Sequence, residues 1–427
     1  MFTELFPKGS LRRLVAGNTL SQLMGRAVSA IVIMIVSLLI ARRFGPEGYG
    51  DFVKITTYVA FFYLIADFGL NAIYIQKSTE KTAADDVFLW QQLFGLRLVM
   101  SAVLVLVAMG LLLVFPQGIQ QGYTPLVRMG ILLLAPVIIA QAITTTTNAF
   151  FQKLLRYDLA TWAQNAGSLA TLGTIFFLYF LTEWPGAIQG IVGIFCGSVV
   201  TACIALLLLS RRRVRVFPLV SSSTMHNYLT SGFPLGLMLL FNLIYFHSDS
   251  VVLALTRSTS EVGIYGLAYK VFELPLVLPI FFMNSVYPLI VTASSGKKKT
   301  SSDLYSLSMS FLLISALVIA IGLWVTAPLV VYVRPDFLAS VAPLRILSLG
   351  LPIFFISAFC MWVLIARKQQ WVLLRIHAIA MAINLSCNVF FIPRYGYMAA
   401  AWITILSELF ILCLSLWVMK HAMVKEG

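Results

Sequence analysis

The chain has 427 residues, of which 60% are hydrophobic and only 11% charged, with a formal net charge of +14. A soluble chain carries about a quarter charged residues, so a water-soluble globular class is excluded. The basic residues sit mostly in short connectors between apolar blocks, which argues against nucleic acid as the partner and for a role in membrane orientation.

The apolar blocks run about twenty to thirty residues, enough to cross a bilayer as helix. No alternation of period two supports a β-barrel. The first block, 14–41, follows a basic N-terminus but exceeds the apolar core of a cleaved signal peptide, so it reads as a retained first helix. Five more blocks follow at 51–74, 87–115, 125–151, 159–181 and 187–209. A polar, basic connector with Arg211, Arg212, Arg213 and Arg215 then precedes six further blocks at 229–255, 263–292, 304–331, 341–366, 371–391 and 398–419. The expectation is an all-α integral membrane protein of about twelve spans, divided into bundles 1–217 and 218–427.

Connectors holding Lys8, Arg12 and Arg13, Lys77 and Lys81, Lys153 and Arg156, the Arg211 to Arg215 group, Lys297 to Lys299, Arg367 and Lys368, and Lys420 and Lys425 fall on one side. The opposite side holds Arg42, Arg43, Arg257, Arg334 and Arg394. This bias predicts that both termini are cytoplasmic. The adjacent Arg42 and Arg43 are the exception to it. A repeated Tyr-Gly, Tyr49-Gly50 after the first span and Tyr265-Gly266 after the seventh, suggests two parallel halves of six spans.

Charge inside hydrocarbon is expensive and normally faces a bundle interior or water. Such residues are Arg26, Asp67, Arg97 and Arg128 in the first half, and His247, Asp249, Lys270, Glu273, Arg345 and Glu408 in the second. Arg26, Arg97, His247, Lys270 and Arg345 are candidates for binding an anionic cargo, because a buried guanidinium keeps its charge and forks onto phosphate oxygens. Asp67, Asp249 and Glu273 are candidates for balancing those charges or carrying a coupling ion, H+ or Na+. Lys270 and Glu273, three residues apart, also suit a simple ion pair. Lys54 and Arg375 lie near span ends, where long side chains reach the headgroups. Prolines at 234, 275, 279 and 288 predict kinks.

No connector is large enough for a nucleotide-binding domain, and no Walker loop is present. The five cysteines lie within apolar blocks without metal-ligand spacing, so no metal or cofactor is expected. No outer connector carries a catalytic carboxylate pair, which argues against a membrane glycan polymerase or ligase and against an enzyme generally.

The segment Arg42-Arg43-Phe44-Gly45-Pro46-Glu47-Gly48-Tyr49-Gly50 resembles the pattern after the first helix of the O-antigen and polysaccharide repeat-unit flippases, within the multidrug/oligosaccharidyl-lipid/polysaccharide (MOP) superfamily. Asp67-Phe68-Gly69-Leu70, Tyr245 to Asp249, Val262 to Lys270, and Asn388 to Gly396 resemble later segments of that family in the same order. The resemblance implies two pseudo-symmetric six-helix bundles around a central cavity. It further implies translocation of undecaprenyl-pyrophosphate-linked saccharide from the cytoplasmic to the periplasmic leaflet of a bacterial inner membrane. Membrane lipids and polysaccharide polymerase or chain-length machinery are the partners it implies. A cation-coupled drug antiporter and a lipid II flippase of the same superfamily are the alternatives. The lack of Asp or Glu within 14–41 weighs against the antiporter.

Overall fold

The structure, a computed structural model, describes residues 8–78, 83–118, 122–212, 214, 216–294, 298–367 and 369–425. Within these, the side chains of residues 8–24, 26, 83–84, 222–224, 285, 288–289, 291–294, 298–303 and 422–425 stand outside the description. Among the described residues the chain is almost wholly helical, without a strand. That is what a lipid environment demands, since every main-chain N–H and C=O must find its partner within the segment.

The helices are α1 (Lys8–Asp67), α2 (Leu70–Ser78), α3 (Ala83–Val114), α4 (Pro125–Leu134), α5 (Val137–Lys153), α6 (Tyr157–Leu181), α7 (Gly186–Ser210), α8 (Ser222–Thr256), α9 (Thr259–Glu273), α10 (Val277–Ser294), α11 (Lys298–Thr326), α12 (Val341–Ala366) and α13 (Gln370–Lys425). Nine helical stretches among the described residues are long and apolar enough to cross a membrane.

Two of those nine, in α1 and α13, are pairs of helices joined at one glycine. Gly45 has φ 69° and ψ −170°, and Gly396 has φ 63° and ψ −150°. That backbone region is essentially closed to residues with a Cβ. The connectors expected around 42–50 and 392–397 are therefore helical on both sides of a single glycine. Other expected spans are interrupted. Phe68 and Gly69, at φ 41° and 67°, end α1 and start α2 inside the block 51–74. Pro136 separates α4 from α5, and a short 3-10 turn carrying Pro275 separates α9 from α10.

The chain forms two compact units. The first comprises Met1–Ile40, Lys54–Gln117 and Tyr123–Leu240; the second comprises Ala41–Val53, Gly118–Gly122 and Phe241–Gly427. In the first, Tyr74, Trp90, Leu93, Phe94, Phe150, Phe151 and Tyr228 pack into one core. Its α6 and α7 approach through a reciprocal contact. A Cβ on Gly167 would lie 2.6 Å from the Gly197 carbonyl, and one on Gly197 would lie 2.6 Å from the Gly167 carbonyl. Small residues allow such close backbone approach, which stands in for a hydrophobic driving force that lipid cannot supply. In the second unit, Phe272, Met283, Leu312, Leu347, Phe355, Cys360 and Ile392 belong to the main core.

The second unit holds a similar reciprocal contact. A Cβ on Gly50 would strike the Thr259 carbonyl, and one on Gly263 would strike the Pro46 carbonyl. The two segments of the Tyr-Gly repeat thus pack against each other, paired as 46 and 50 with 259 and 263, three residues away from the Tyr-Gly register.

Two arginines outside the main basic set, Arg334 and Arg257, have structural partners here. Arg334 donates to the Arg43 carbonyl at 3.1 Å and pairs with Asp336 at 2.7 Å, beside Gly45. Arg257 donates to the Pro393 carbonyl at 3.4 Å and pairs with Glu261 at 2.9 Å, beside Gly396. Each helix break leaves carbonyls without an in-helix donor, and an arginine from elsewhere in the unit takes one. Lys54 corrects another expectation. Its side chain does not reach a membrane surface but is buried, with 1% of its area exposed.

Candidate functional site

In the first unit, α3 carries Arg97 into the interior, where it is fully buried. Nη2 donates to Asp67 Oδ1 at 2.7 Å and to the Asp67 carbonyl at 3.2 Å. Nη1 donates to Asn71 Oδ1 at 2.7 Å and to Thr146 Oγ1 at 3.4 Å. Desolvating the guanidinium costs several kcal/mol, and only good geometry with extra hydrogen bonds offsets it. Here the guanidinium ties the end of α1, the start of α2 and the middle of α5 to α3, around the left-handed turn at Phe68 and Gly69. Asp67 keeps 39% of its side chain accessible.

Thr146 is held on a second side. Its main-chain carbonyl accepts from Trp90 Nε1 at 3.0 Å. One helical turn along α3 from Trp90, Asp86 pairs with Lys153 and accepts from Tyr74 Oη at 2.9 Å.

In the second unit, two polar stripes face each other across apolar helices. On α8 they are Tyr245, Ser248 and Asp249, and on α13 they are Thr404, Ser407 and Glu408, each at i, i+3, i+4 spacing that lies on one helix face. Tyr245 Oη donates to Glu408 at 2.7 Å, and Tyr265 Oη on α9 donates to Asp249 at 2.5 Å. Asp249 also accepts from the Ser250 N–H at 2.6 Å, and Glu408 is bonded by Ser357 on α12. Between them, Asn384 and Asn388 join Ser248 and Ser407 at 2.8 to 3.0 Å. Asn388 Oδ1 is buried without a hydrogen-bond partner among the described residues. Both carboxyl groups are buried, and the groups that bond them among the described residues are neutral hydroxyls and a main-chain amide. An ionised carboxylate so placed is costly unless a cation joins it.

His247, on the next position of α8, lies within electrostatic range of Asp249, Lys270 and Glu273. Lys270 pairs with Glu273 one turn on, at 2.9 Å, and both side chains are partly exposed. The structure therefore brings together four of the sequence candidates, His247, Asp249, Lys270 and Glu273, and joins two more, Arg97 and Asp67, in the first unit. Arg345 stands apart. It donates to the Trp324 carbonyl at 3.3 Å and lies over the Trp324 ring at 5.4 Å, which fastens α12 to the end of α11. The Arg26 side chain lies outside the described residues. Its neighbours Gly25 and Ser29 place that stretch of α1 against Thr161 and Ser168 of α6.

Tyr245, Ser248, Tyr265, Ser357, Asn384, Asn388, Thr404 and Ser407 are absent from the charged candidates. Their signal is polar residues recurring at helical spacing inside apolar blocks, a periodicity that a search for charge passes over.

A family model described as polysaccharide biosynthesis protein matches residues 15–294. No curated protein matches the chain. Among solved structures, the fold is similar to the lipid II flippase MurJ in an inward closed conformation. The TM-score is 0.78 at 16% identity, over 93% of this chain and 87% of that one. It is also similar to an inward-facing multidrug resistance MATE family transporter of the MOP superfamily, with TM-score 0.75 at 14% identity over 93% and 96% of the two chains. A MOP superfamily transporter from Pyrococcus furiosus, described as having reversed polarity of its binding pocket, gives 0.61 at 14% identity over 97% and 96%. With the family model covering most of its length and this fold, the chain belongs to the polysaccharide biosynthesis protein family and has the fold of MOP superfamily transporters.

Proposed function

We propose that the protein is a flippase for undecaprenyl-pyrophosphate-linked oligosaccharide repeat units of O-antigen or a related polysaccharide. It moves them from the cytoplasmic to the periplasmic leaflet of a bacterial inner membrane by alternating access of its halves, 1–217 and 218–427, with both termini cytoplasmic. The membership in the polysaccharide biosynthesis family carries this reading. The partly exposed Lys270, within a candidate span, supports it chemically. A cation that water can reach at membrane depth suits an anionic head group. Its ion pair with Glu273 is a local partner that a pyrophosphate displaces.

Lys270 and Arg26 contact the pyrophosphate in this reading, and His247 lies beside that contact. Arg97, whose terminal nitrogens are engaged by the protein, and Arg345, whose Nε bonds the Trp324 carbonyl and whose guanidinium lies over the Trp324 ring, hold the helices that position it. A membrane potential negative inside favours outward movement of an anion by about 2.3 kcal/mol per charge per 100 mV. Asp249, with Asp67 and Glu273 as the other candidates, takes up a coupling H+ or Na+. The chain does no covalent chemistry; polymerisation falls to a separate protein.

The test replaces Lys270 and Arg26 singly with Ala and measures surface polysaccharide at matched protein levels. Loss of at least tenfold supports the assignment, and wild-type output from both variants removes it. In vesicles with the potential collapsed and ion gradients imposed separately, transport that responds only to the H+ or only to the Na+ gradient identifies the coupling ion. A second reading, cation-coupled export of amphipathic drugs, is favoured by the two buried carboxyl groups. Drug accumulation that falls on expression, with no change in surface polysaccharide, would select it.

A further inference from the structure

Helix α5 is unlike its neighbours. Its buried residues are Val137, Ile138, Ala140, Ala142, Thr144, Thr146, Thr147, Ala149, Phe150 and Phe151. None of its positions is fully exposed, and the partly accessible ones include Gln141, Thr145, Asn148 and Gln152. These four follow i, i+4, i+7, i+11 and lie on one face. Helices that meet lipid show the reverse pattern. On α11 the exposed residues include Phe311, Ile314, Leu317, Val318 and Ile321, and on α4 they include Met129, Leu132 and Leu133.

A row of amides and hydroxyls is costly against hydrocarbon, so this accessible face of α5 meets water or a polar ligand. Its orientation is fixed from behind. Thr146, on the buried side, is held by Arg97 through its hydroxyl and by Trp90 through its carbonyl. Among the described residues Asn148 Oδ1 is buried with no hydrogen-bond partner, and so is Asn165 Oδ1 on α6, which packs beside α5. Unsatisfied buried acceptors in native proteins call for a partner.

We propose that Gln141, Thr145 and Asn148 form a saccharide-binding face, contacting the hydroxyl and acetamido groups of the cargo's sugars. This rests on the flippase reading and names the part of the substrate these residues take. The face carries no charge, so it has little to offer a pyrophosphate or a metal ion. Carboxamides place a donor and an acceptor side by side, and a threonine hydroxyl serves as either, which matches neighbouring sugar hydroxyls. From Gln141 to Asn148 the helix rises about 10 Å, enough for more than one pyranose ring. The other end of the cargo, the anion, is left to the cationic residues.

The test uses the full chain purified in detergent and two probes, bare undecaprenyl pyrophosphate and undecaprenyl-pyrophosphate-linked N-acetylhexosamine. Wild type is expected to bind the glycosylated probe about tenfold more tightly than the bare one. The near-isosteric triple variant Gln141→Met, Thr145→Val, Asn148→Leu is expected to lose that preference while keeping its affinity for the bare probe. Preference retained in the variant, or absent from the wild type, overturns the proposal. Failure of the wild type to bind either probe overturns the flippase reading and this proposal with it. A second measurement does not depend on the triple variant folding. In a background with the five cysteines replaced, Asn148→Cys is expected to react with a membrane-impermeant thiol reagent and to be protected by the glycosylated probe but not the bare one. Absence of reaction, or equal protection by both probes, overturns the saccharide face.

Discussion

Arg97 and Asp67 are joined twice, Nη2 donating to the carboxylate at 2.7 Å and to the main-chain carbonyl at 3.2 Å. The second bond takes a carbonyl that the end of α1 leaves free, where Phe68 turns left-handed at φ 41°. Phenylalanine in that region is strained by about 1–3 kcal/mol, so the turn depends on outside support. Arg97→Ala is expected to destabilise the protein by about 1–3 kcal/mol, because it strands the Asn71, Thr146 and Asp67 main-chain acceptors while the Asp67 carboxylate, 39% accessible, is left to water. Arg97→Lys keeps the charge but loses the fork and falls between. Chemical denaturation in detergent reads both, and wild-type stability for Arg97→Ala would dismiss the scaffolding role.

The glycine contacts give a graded series. Gly50→Ala sets a methyl against the Thr259 main chain, which cannot rotate away, whereas Gly110 has open space around it. Gly50→Ala is expected to lower folded yield sharply and Gly110→Ala to leave it at or above wild type, since alanine favours helix by about 1 kcal/mol. Gly396→Ala adds backbone strain of about 1–3 kcal/mol to a clash with Glu261 and Arg257. Fluorescence-detected size exclusion at matched expression compares all three, and similar profiles for Gly50→Ala and Gly110→Ala would contradict the packing described.

Tyr245 and Tyr265 each bond a buried carboxyl group. Tyr265→Phe leaves Asp249 bonded to Ser250, and Tyr245→Phe leaves Glu408 bonded to Ser357. Each is expected to cost about 1–3 kcal/mol. The pair Tyr245→Phe with Glu408→Met is expected to recover part of the loss, because the buried carboxyl group leaves together with its tyrosine donor and only the Ser357 hydroxyl must find another acceptor. Thermal unfolding in one detergent measures the four variants; a double variant less stable than either single would count against this pairing.

Outside the spans, Arg156 holds Asp158 through a two-pronged ion pair at 2.7 and 2.8 Å. The guanidinium keeps the Asp158 carboxyl below its ordinary range. A carboxyl group with a lowered folded value stabilises fully above its unfolded value, about 3.9, and loses that contribution as pH falls through the folded value. The stability difference between wild type and Asp158→Asn is therefore expected to be constant from pH 7 to 5 and to shrink toward zero below about pH 4. Urea denaturation across that range tests it, and a difference that grows on acidification would reverse the assignment.

Hydropathy made the helical class legible, and charge located Arg97, Asp67, His247, Asp249, Lys270 and Glu273. It did not tell which charges are spent on the protein. Arg97 and Lys270 look alike in an apolar block, yet one has four acceptors from three helices and the other a single partner one turn away. Acceptors such as Asn71 and Thr146 are unremarkable in sequence because nothing local connects them to position 97. The breaks were misread for a different reason. The stretches around Gly45 and Gly396 each place arginine, proline and glycine close together, as loops do, but only one residue in each leaves the helix. Lys54 shows the limit of reading depth from distance to a span end, since packing rather than depth buries it.

The arginines at those breaks bear on how the second unit assembles. Arg334 with Asp336, and Arg257 with Glu261, form internally neutral pairs that dock on main-chain oxygen. Their acidic partners lie only two and four residues along, so each pair forms locally, whereas the Arg43 and Pro393 carbonyls are 291 and 136 residues distant in sequence. The long-range contact is then made by a cation whose charge is already compensated, and the docking of a helix break leaves no uncompensated charge in the apolar interior.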